Sequence, residues 1–229
     1  ICGSKMLMYY NRTIINSTGI VLNLLGETWD RGMGRIDTPK WNIAGDVLGV
    51  SGGAFFVKRE VIEKIGLFDP GFFLYYEDLD FCIRTWNSGY RVVFVPSAVI
   101  YHRFMGSIGT KLSFKHYCAT QSRLRLLAKA FPLKVAIKAF PRIFVYELKR
   151  IKSFFISRHY SFILAEIRAI FSFLLGLRSA LKLRFKRENS IWPLRHMLQW
   201  DYGVPDNFNP VPDYVIANES STGLNSRIL

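Results

Sequence analysis

Apolar residues spaced three and four positions apart predict two helices in the first half of the chain. One is expected over Glu77–Asn87, closed by Ser88-Gly89, because its apolar positions share one helical face: Leu79, Cys82, Ile83 and Trp86. A shorter helix is expected over Arg59–Ile65, ended by Gly66. Short apolar segments predict strands at 5–10, 19–25, 90–95 and 98–101. Strands mixed with helices in this way predict an α/β domain.

The second half of the chain predicts long amphipathic helices. Within 133–155 the apolar residues follow steps of three and four: Leu133, Ile137, Phe140, Phe144, Leu148, Ile151 and Phe155. Basic residues form a separate stripe beside them: Lys134, Lys138, Arg142, Lys149 and Lys152. Pro132 suits a helix start, whereas Pro141 predicts a kink or a division. A second apolar pattern runs from Ile163 to Leu181 and ends at the basic cluster 182–187.

Charge divides the chain into three parts. The net charge is +14, but residues 1–110 hold 11 Lys or Arg against 10 Asp or Glu, residues 111–190 hold 18 against 3, and residues 191–229 hold 2 against 4. We therefore predict a balanced domain over 1–110, a basic helical extension over 111–190 and an irregular tail over 191–229. An excess of this size in one segment favours an anionic partner.

An anionic membrane surface fits the basic extension better than nucleic acid does. Helices lying on such a surface satisfy both their apolar and their basic stripes. Nucleic acid is not expected, because no zinc pattern or recognition module is present and the apolar stripes would stay in water. A spanning helix is disfavoured, since the apolar stretch 161–177 has only 17 residues and contains Glu166 and Arg168, although a tilted or re-entrant segment stays open. The expected location is peripheral, at the cytoplasmic face of the cell membrane.

Three carboxylates interrupt an otherwise apolar and aromatic run, FFLYYEDLDF. Asp80 lies four residues before Arg84, which predicts a modest ion pair on the surface. Glu77 and Asp78 fall in the first helical turn, where free N–H groups and the helix dipole favour negative charge. Such acids can cap the helix, accept a proton from a substrate hydroxyl or help to hold a divalent ion, and these alternatives stay open.

Two further features bear on the chemistry. His102 ends a predicted strand, where it is either a structural hydrogen-bonding group or a ligand for a divalent ion. Cys2, Cys82 and Cys118 have no paired spacing, so free thiols are expected instead of disulfides or a zinc site. The chain starts at Ile1 without an initiator Met or a signal peptide, and we expect it to be a fragment whose upstream part is missing.

Several ordered motifs resemble one family. They are GVSGGAFFVKREVIEKIGLFDPGFF at 49–73, YEDLDFCIR at 76–84, GYRVVFVP at 89–96 and Tyr101-His102. Over about 15–110 they resemble the second half of a glycosyltransferase family 2 domain, and they are most similar to its rhamnosyltransferase-like branch. The resemblance implies a partial GT-A fold, with a mixed sheet between helices, followed here by the amphipathic helical extension.

The resemblance also implies roles for named residues. Asp78, in the Glu77-Asp78 pair, matches the general base, and His102 matches a ligand of Mn²⁺ or Mg²⁺ beside the donor diphosphate. The small residues that line the sugar site in the family correspond to Ser51, Gly52 and Gly53. A segment resembling a loop near the substrate suggests contacts to donor or acceptor from Arg31, Asp37 and Trp41.

The implied activity is an inverting transfer of a sugar from a nucleotide-sugar donor to a hydroxyl of a glycan acceptor. We expect that acceptor to be lipid-linked and the reaction to serve the synthesis of cell-surface polysaccharide or glycoconjugate. The family's nucleotide-binding half, with its Asp-x-Asp motif, has no counterpart in this sequence, so the chain alone is expected to be inactive. The alternative is a non-catalytic glycosyltransferase-like module that docks on a membrane or a partner enzyme.

Overall fold

The computed structural model describes residues 1–103, 111–184, 186, 189–191, 194, 197 and 198. The predicted irregular tail therefore lies almost wholly outside the described residues. Within them the chain forms seven strands: β1 (Cys2–Met8), β2 (Ile15–Ser17), β3 (Ile20–Leu22), β4 (Thr28–Asp30), β5 (Gly45–Asp46), β6 (Phe55–Phe56) and β7 (Val93–His102). The α-helices are α1 (Arg59–Ile65), α2 (Glu77–Asn87), α3 (Leu112–Ala130), α4 (Leu133–Ile156) and α5 (Tyr160–Arg184), with a short 3₁₀ helix at Pro39–Trp41.

The main sheet is mixed, as predicted, and it is built around β1. The order is β2-β1-β7-β5, with β6 also paired to the start of β1. Only β7 runs parallel to β1, while β2 and β6 are antiparallel to it. Strands β3 and β4 form a separate hairpin. Because parallel strands place their carboxyl ends at one edge, Met8 at the end of β1 and His102 at the end of β7 lie together there.

The two strands predicted at 90–95 and 98–101 are one bulged strand. Along β7 the partner of Ser4 is Val95, whereas the partner of Lys5 is Val99. Pro96 lies in the residues that this jump leaves out, and it has no N–H to donate to a ladder. The strand then resumes and pairs His102 with Met8, which carries the histidine to the end of the sheet.

The predicted bounds of α1 and α2 are confirmed. Pro141 does not divide the helix in which it lies, because the 24 residues of α4 form one helix that includes it. Helix α5 has 25 residues and so exceeds the 17-residue apolar stretch seen in the sequence. All three cysteines are free thiols.

One hydrophobic core crosses the charge boundary near residue 110. Leu79 and Ile83 of α2 are fully buried with Leu22 of β3, and the same cluster contains Leu126 and Phe131 at the end of α3. The first helix of the basic extension is thus packed on the balanced domain. The functional division between residues 1–110 and 111–190 stays a prediction. The hydrophobic core itself contains residues from both parts.

A buried ion network joins α2 to α3. The predicted pair of Asp80 and Arg84 is present at 3.0 Å, but its predicted surface position is wrong, because the side chains are only 2% and 7% exposed. Helix α3 covers that face of α2, and Lys129 contributes a second cation 2.7 Å from Asp80. Arg84 also donates to the carbonyls of Ile65 and Leu67. The Asp80 carboxylate therefore has two buried cationic partners, Arg84 and Lys129.

The same lysine holds the loop before α2. Lys129 Nζ lies 2.9 Å from Asp69, and Arg125 pairs with that aspartate at 3.0 Å. Burial raises the pKa of Asp69, but a hydrogen bond from the Gly71 N–H, together with these cations, holds it below its usual value. Ser122 of α3 donates to the carbonyl of Leu74 farther along the same loop. Helix α3 thus fixes both the loop and the helix that follows it.

We predict that Lys129→Met destabilises the fold by about 3 kcal/mol, because it leaves two buried carboxylates short of a cation. Urea unfolding measures this free energy. The matched control is Arg59→Ala, which breaks a pair with Glu63 at a 91% exposed arginine side chain and should cost less than about 0.5 kcal/mol. Equal losses in the two variants would contradict the structural importance of the network.

Candidate active site

Helix α2 begins after two residues in a rare backbone conformation. Tyr75 and Tyr76 have φ values of 65° and 70°, in the left-handed region. Such a residue costs about 1–3 kcal/mol unless its surroundings enforce it. The Tyr76 ring is buried in the core, and its hydroxyl is hydrogen-bonded to Thr28; burial raises its pKa to about 12. This anchored turn places Glu77 and Asp78 at the start of α2.

The Asp78 carboxylate is oriented by two backbone N–H groups. Oδ2 accepts from Gly52 at 2.8 Å, and Oδ1 accepts from Leu79 at 2.7 Å. Burial raises the pKa of Asp78, and these hydrogen bonds oppose the rise. A carboxylate with a raised pKa accepts a proton more readily than an ordinary aspartate. Asp78 can therefore both cap α2 and accept a proton, because Oδ1 binds an N–H of the first turn and Oδ2 binds the N–H of Gly52 in a different loop.

The small-residue segment lies between Asp78 and His102. A Cβ atom added to Gly52 would lie 3.5 Å from Asp78 Oδ2, and one added to Gly53 would lie 3.8 Å from His102 Nε2. The latter would also lie 3.7 Å from Ser51 Oγ. The structure thus brings together five of the residues singled out from the sequence. A side chain at Gly52 would contact Asp78, and one at Gly53 would approach Met6 Cε to 2.9 Å before it reached His102.

His102 is held by Asn16, a residue that the sequence analysis missed. His102 Nδ1 lies 2.6 Å from the Oδ1 atom of the buried Asn16. An amide oxygen only accepts, so Nδ1 carries the proton and Nε2, on the Gly53 side, keeps its lone pair. Burial also lowers the pKa of His102, which favours the neutral ring. The short strand β2, Ile-Asn-Ser, is mostly polar, so its local pattern gave no signal of this contact.

The described residues form no complete metal site. Among them, no group of three or more His, Cys, Asp or Glu side chains is placed to hold an ion. His102 fits as one ligand, because its Nε2 keeps its lone pair and lies beside a glycine. Any further ligands must come from outside these side chains, and the oxygens of a bound diphosphate have the required chemistry.

A second carboxylate stands close to Asp78. Asp30, at the end of β4, has its pKa raised to about 7 by burial and by repulsion from Asp78, against the effect of a hydrogen bond with Ser17. Glu77 also has its pKa raised by burial and by Asp78. The site therefore gathers three acids whose charges repel. Nothing in the local spacing of the sequence points to Asp30.

The other residues predicted to contact substrate make contacts within the protein. Arg31 Nε donates to Thr18 at 3.0 Å, and burial lowers the pKa of its guanidinium. Asp37 pairs at 2.8 Å with the buried Lys5, which also contacts Asn42. The Trp41 ring packs against Gly32, and its buried Nε1 makes no hydrogen bond within the described part of the chain.

These features define a class of protein. The mixed sheet with its helices, and a small-residue segment next to both an oriented acid at a helix start and a histidine at a strand end, are those of a GT-A-like glycosyltransferase domain. The profile described as glycosyl transferase family group 2 matches residues 37–181. The chain belongs to this family.

Two curated relatives come from Mycobacterium tuberculosis, one from strain CDC 1551 / Oshkosh and one from strain ATCC 25618 / H37Rv. Each is an N-acetylglucosaminyl-diphospho-decaprenol L-rhamnosyltransferase that is 37% identical to this chain over 60 residues. The similarity covers 26% of this chain, and the chain spans only 20% of the length of each relative.

We predict that Asp30→Asn stabilises the protein at pH 8 but not at pH 3.5. A carboxyl whose folded pKa is raised to about 7 contributes stability while protonated and loses it as the pH rises through that value. Removing the charge should therefore raise the free energy of unfolding at pH 8 by about 2 kcal/mol. Urea unfolding at the two pH values measures it. Asp46→Asn, at a surface pair with Arg91, is the control, and an equal gain at both pH values would contradict the assignment.

Proposed function

We propose that the protein is an inverting glycosyltransferase that moves a sugar from a nucleotide-sugar donor to a hydroxyl of a glycan acceptor. The observation that carries this proposal is the Asp78 carboxylate, oriented by Gly52 and Leu79 and separated from His102 by two glycines. In a single inverting displacement the acceptor oxygen loses its proton as it attacks, and Asp78 takes that proton.

Other residues of the site take supporting roles. His102 supplies one ligand to Mn²⁺ or Mg²⁺, and such an ion stabilises the charge that develops on the leaving diphosphate. Gly52 and Gly53 leave room for the transferred sugar beside Ser51. Glu77 lies next to the base, and its buried Oε2 makes no hydrogen bond with a described residue.

The acceptor in this proposal is lipid-linked, and the product belongs to a cell-surface polysaccharide or glycoconjugate. The names of the two mycobacterial relatives contain N-acetylglucosaminyl-diphospho-decaprenol, a sugar carried on a lipid diphosphate. A lipid-linked acceptor sits at a membrane, so the enzyme must reach that surface. The exposed faces of the two long helices support the same conclusion.

Helix α4 presents its apolar stripe to the surroundings. Six of the seven predicted stripe residues are 50–65% exposed: Leu133, Ile137, Phe140, Phe144, Leu148 and Phe155. Helix α5 exposes a second apolar set: Ile167, Phe171, Leu174 and Leu175. Contiguous exposed apolar surface of this kind is a mark of an interaction site. Beside the basic residues of α4 it suits an anionic leaflet, and we place the protein peripherally at the cytoplasmic face of the cell membrane.

By length and composition α5 could also cross a membrane, with a mean hydropathy of 1.6 over an 18-residue window that is 17% buried. The charges of its first half favour an in-plane position. Glu166 is fully buried, where it pairs with His116 and with Arg150 of α4. These pairs fix one face of α5 on α3 and α4, so the remaining apolar face can lie on the membrane.

We predict that Asp78→Asn in the full-length protein lowers the rate of sugar transfer by about 10²–10⁴-fold, because the acceptor hydroxyl loses its base. Release of labelled sugar onto a lipid-linked acceptor measures the rate, and circular dichroism checks the fold. Asp46→Asn is the matched control and should retain the wild-type rate. Full turnover by Asp78→Asn would remove this residue as the base.

For the helices we predict binding to vesicles containing phosphatidylglycerol that weakens as salt is raised. Changing Lys134, Lys138, Lys149 and Lys152 of α4 to Gln should lower the affinity at least about tenfold, since each basic residue near an anionic surface contributes about 1 kcal/mol. The control changes Lys58 and Arg59, outside the extension, in the same way and should bind normally. Vesicle sedimentation measures both, and equal binding to neutral phosphatidylcholine vesicles would contradict the electrostatic part.

A further inference from the structure

A groove between the first turns of α3 and of α5 has the size and chemistry of a ligand site. Its volume is about 680 Å³, and its lining includes Phe114, Tyr117, Ser161, Leu164, Ala165 and Arg168. Pockets of about 300–1,000 Å³ typically hold small-molecule ligands. We propose that this α3–α5 groove binds the phosphorylated end of a polyisoprenoid lipid, and so holds the lipid part of the acceptor. The inference rests on the proposed function and extends it.

The lining of the groove combines apolar side chains with one cation. Phe114 and Leu164 offer apolar surface for the first isoprenoid units. Arg168 is exposed and forms no ion pair with another described residue, unlike Arg150 nearby in the fold, which pairs with Glu147 and Glu166. A guanidinium is the side chain best suited to bind phosphate oxygens in two places at once. An apolar wall with a single available arginine matches a lipid that ends in a phosphate.

An aromatic series extends from the groove to the loop before α2. Phe73, in the loop before α2, is 79% exposed, and its ring centroid lies 6.2 Å from that of Phe114. Phe114 in turn stacks on Tyr117, also at 6.2 Å. Phe73 precedes the base, Asp78, by only five positions in the chain. A molecule lying along these rings would extend from the acceptor side of the site into the groove.

The other side of the groove leads to the exposed apolar face of α5. Leu164 belongs to both, since it lines the groove and is itself exposed, and Ile167 and Phe171 follow it along the helix. The Tyr117 hydroxyl donates to Ser172 at 3.0 Å and thereby joins α3 to α5 beside the groove. The lipid chain leaving the groove therefore meets the surface assigned to the membrane and not open water.

Farnesyl diphosphate, a short water-soluble isoprenoid, tests this proposal by isothermal titration calorimetry with the full chain. We expect binding to the wild type, at least tenfold weaker binding by Arg168→Gln and by Leu164→Gln, and at least tenfold weaker binding of inorganic diphosphate. Arg178→Gln on α5 and Leu67→Gln, at an exposed leucine before α2, are matched controls that lie outside the groove, and they should bind within twofold of the wild type. Circular dichroism checks that all four variants fold.

Three results would overturn the proposal: no binding by the wild type, the same loss in the control variants, or equal affinity for inorganic diphosphate. Short-chain phosphatidylglycerol below its micellar concentration is the competing ligand. Tighter binding of that phospholipid with the same dependence on Arg168 would assign the groove to membrane lipid instead. Asp78→Asn separates this proposal from the proposed function, since it should lose sugar transfer and still bind farnesyl diphosphate like the wild type.

Discussion

The buried lysine Lys129 is the contact on which the arrangement of the candidate site depends. It is 2% exposed and lies within 2.9 Å of both Asp69, in the loop before α2, and Asp80, inside α2. A carboxylate buried without its cation is costly, so neither acid can move away from α3 alone. The loop, α2 and α3 therefore behave as one unit. The helix that charge composition assigned to a basic extension is part of the scaffold of the site.

This unit also explains how the chain tolerates two left-handed tyrosines before the base. Ser122 of α3 holds the carbonyl of Leu74, and the core holds the ring of Tyr76, so the residues on either side of Tyr75 are fixed. The backbone between them has to turn sharply to enter α2. Packing offsets the conformational free energy that this turn costs. The turn places the Asp78 carboxylate at the start of α2, where it reaches Gly52 of a different loop. Rigid support of this kind is what a positioned base requires.

Local spacing predicted the parts of the structure that local forces determine. The bounds of α1 and α2 follow from apolar period and from glycine at their ends, and the Asp80–Arg84 pair follows from a separation of four residues. Whether that pair is buried depends on α3, whose Lys129 lies 45 residues after Arg84 and so outside any local pattern. Asn16 and Asp30 were missed for the same reason, because their importance arises from β7 and α2 folding against them. The gathering of Asp78, the glycines and His102 was expected from family resemblance alone.

Helix α5 shows why amphipathic pattern does not by itself assign an environment. In a helix of a water-soluble domain the apolar face is normally buried and the charges are exposed. In α5 the acid Glu166 is fully buried against His116 and Arg150, while Ile167 and Phe171 are exposed. An inward acid is stable here because α3 and α4 supply its partners, and an outward apolar face of this size is a mark of an interaction surface. In the proposals made above, the same helix that would hold the protein at a membrane would also form one wall of the α3–α5 groove that takes the acceptor lipid.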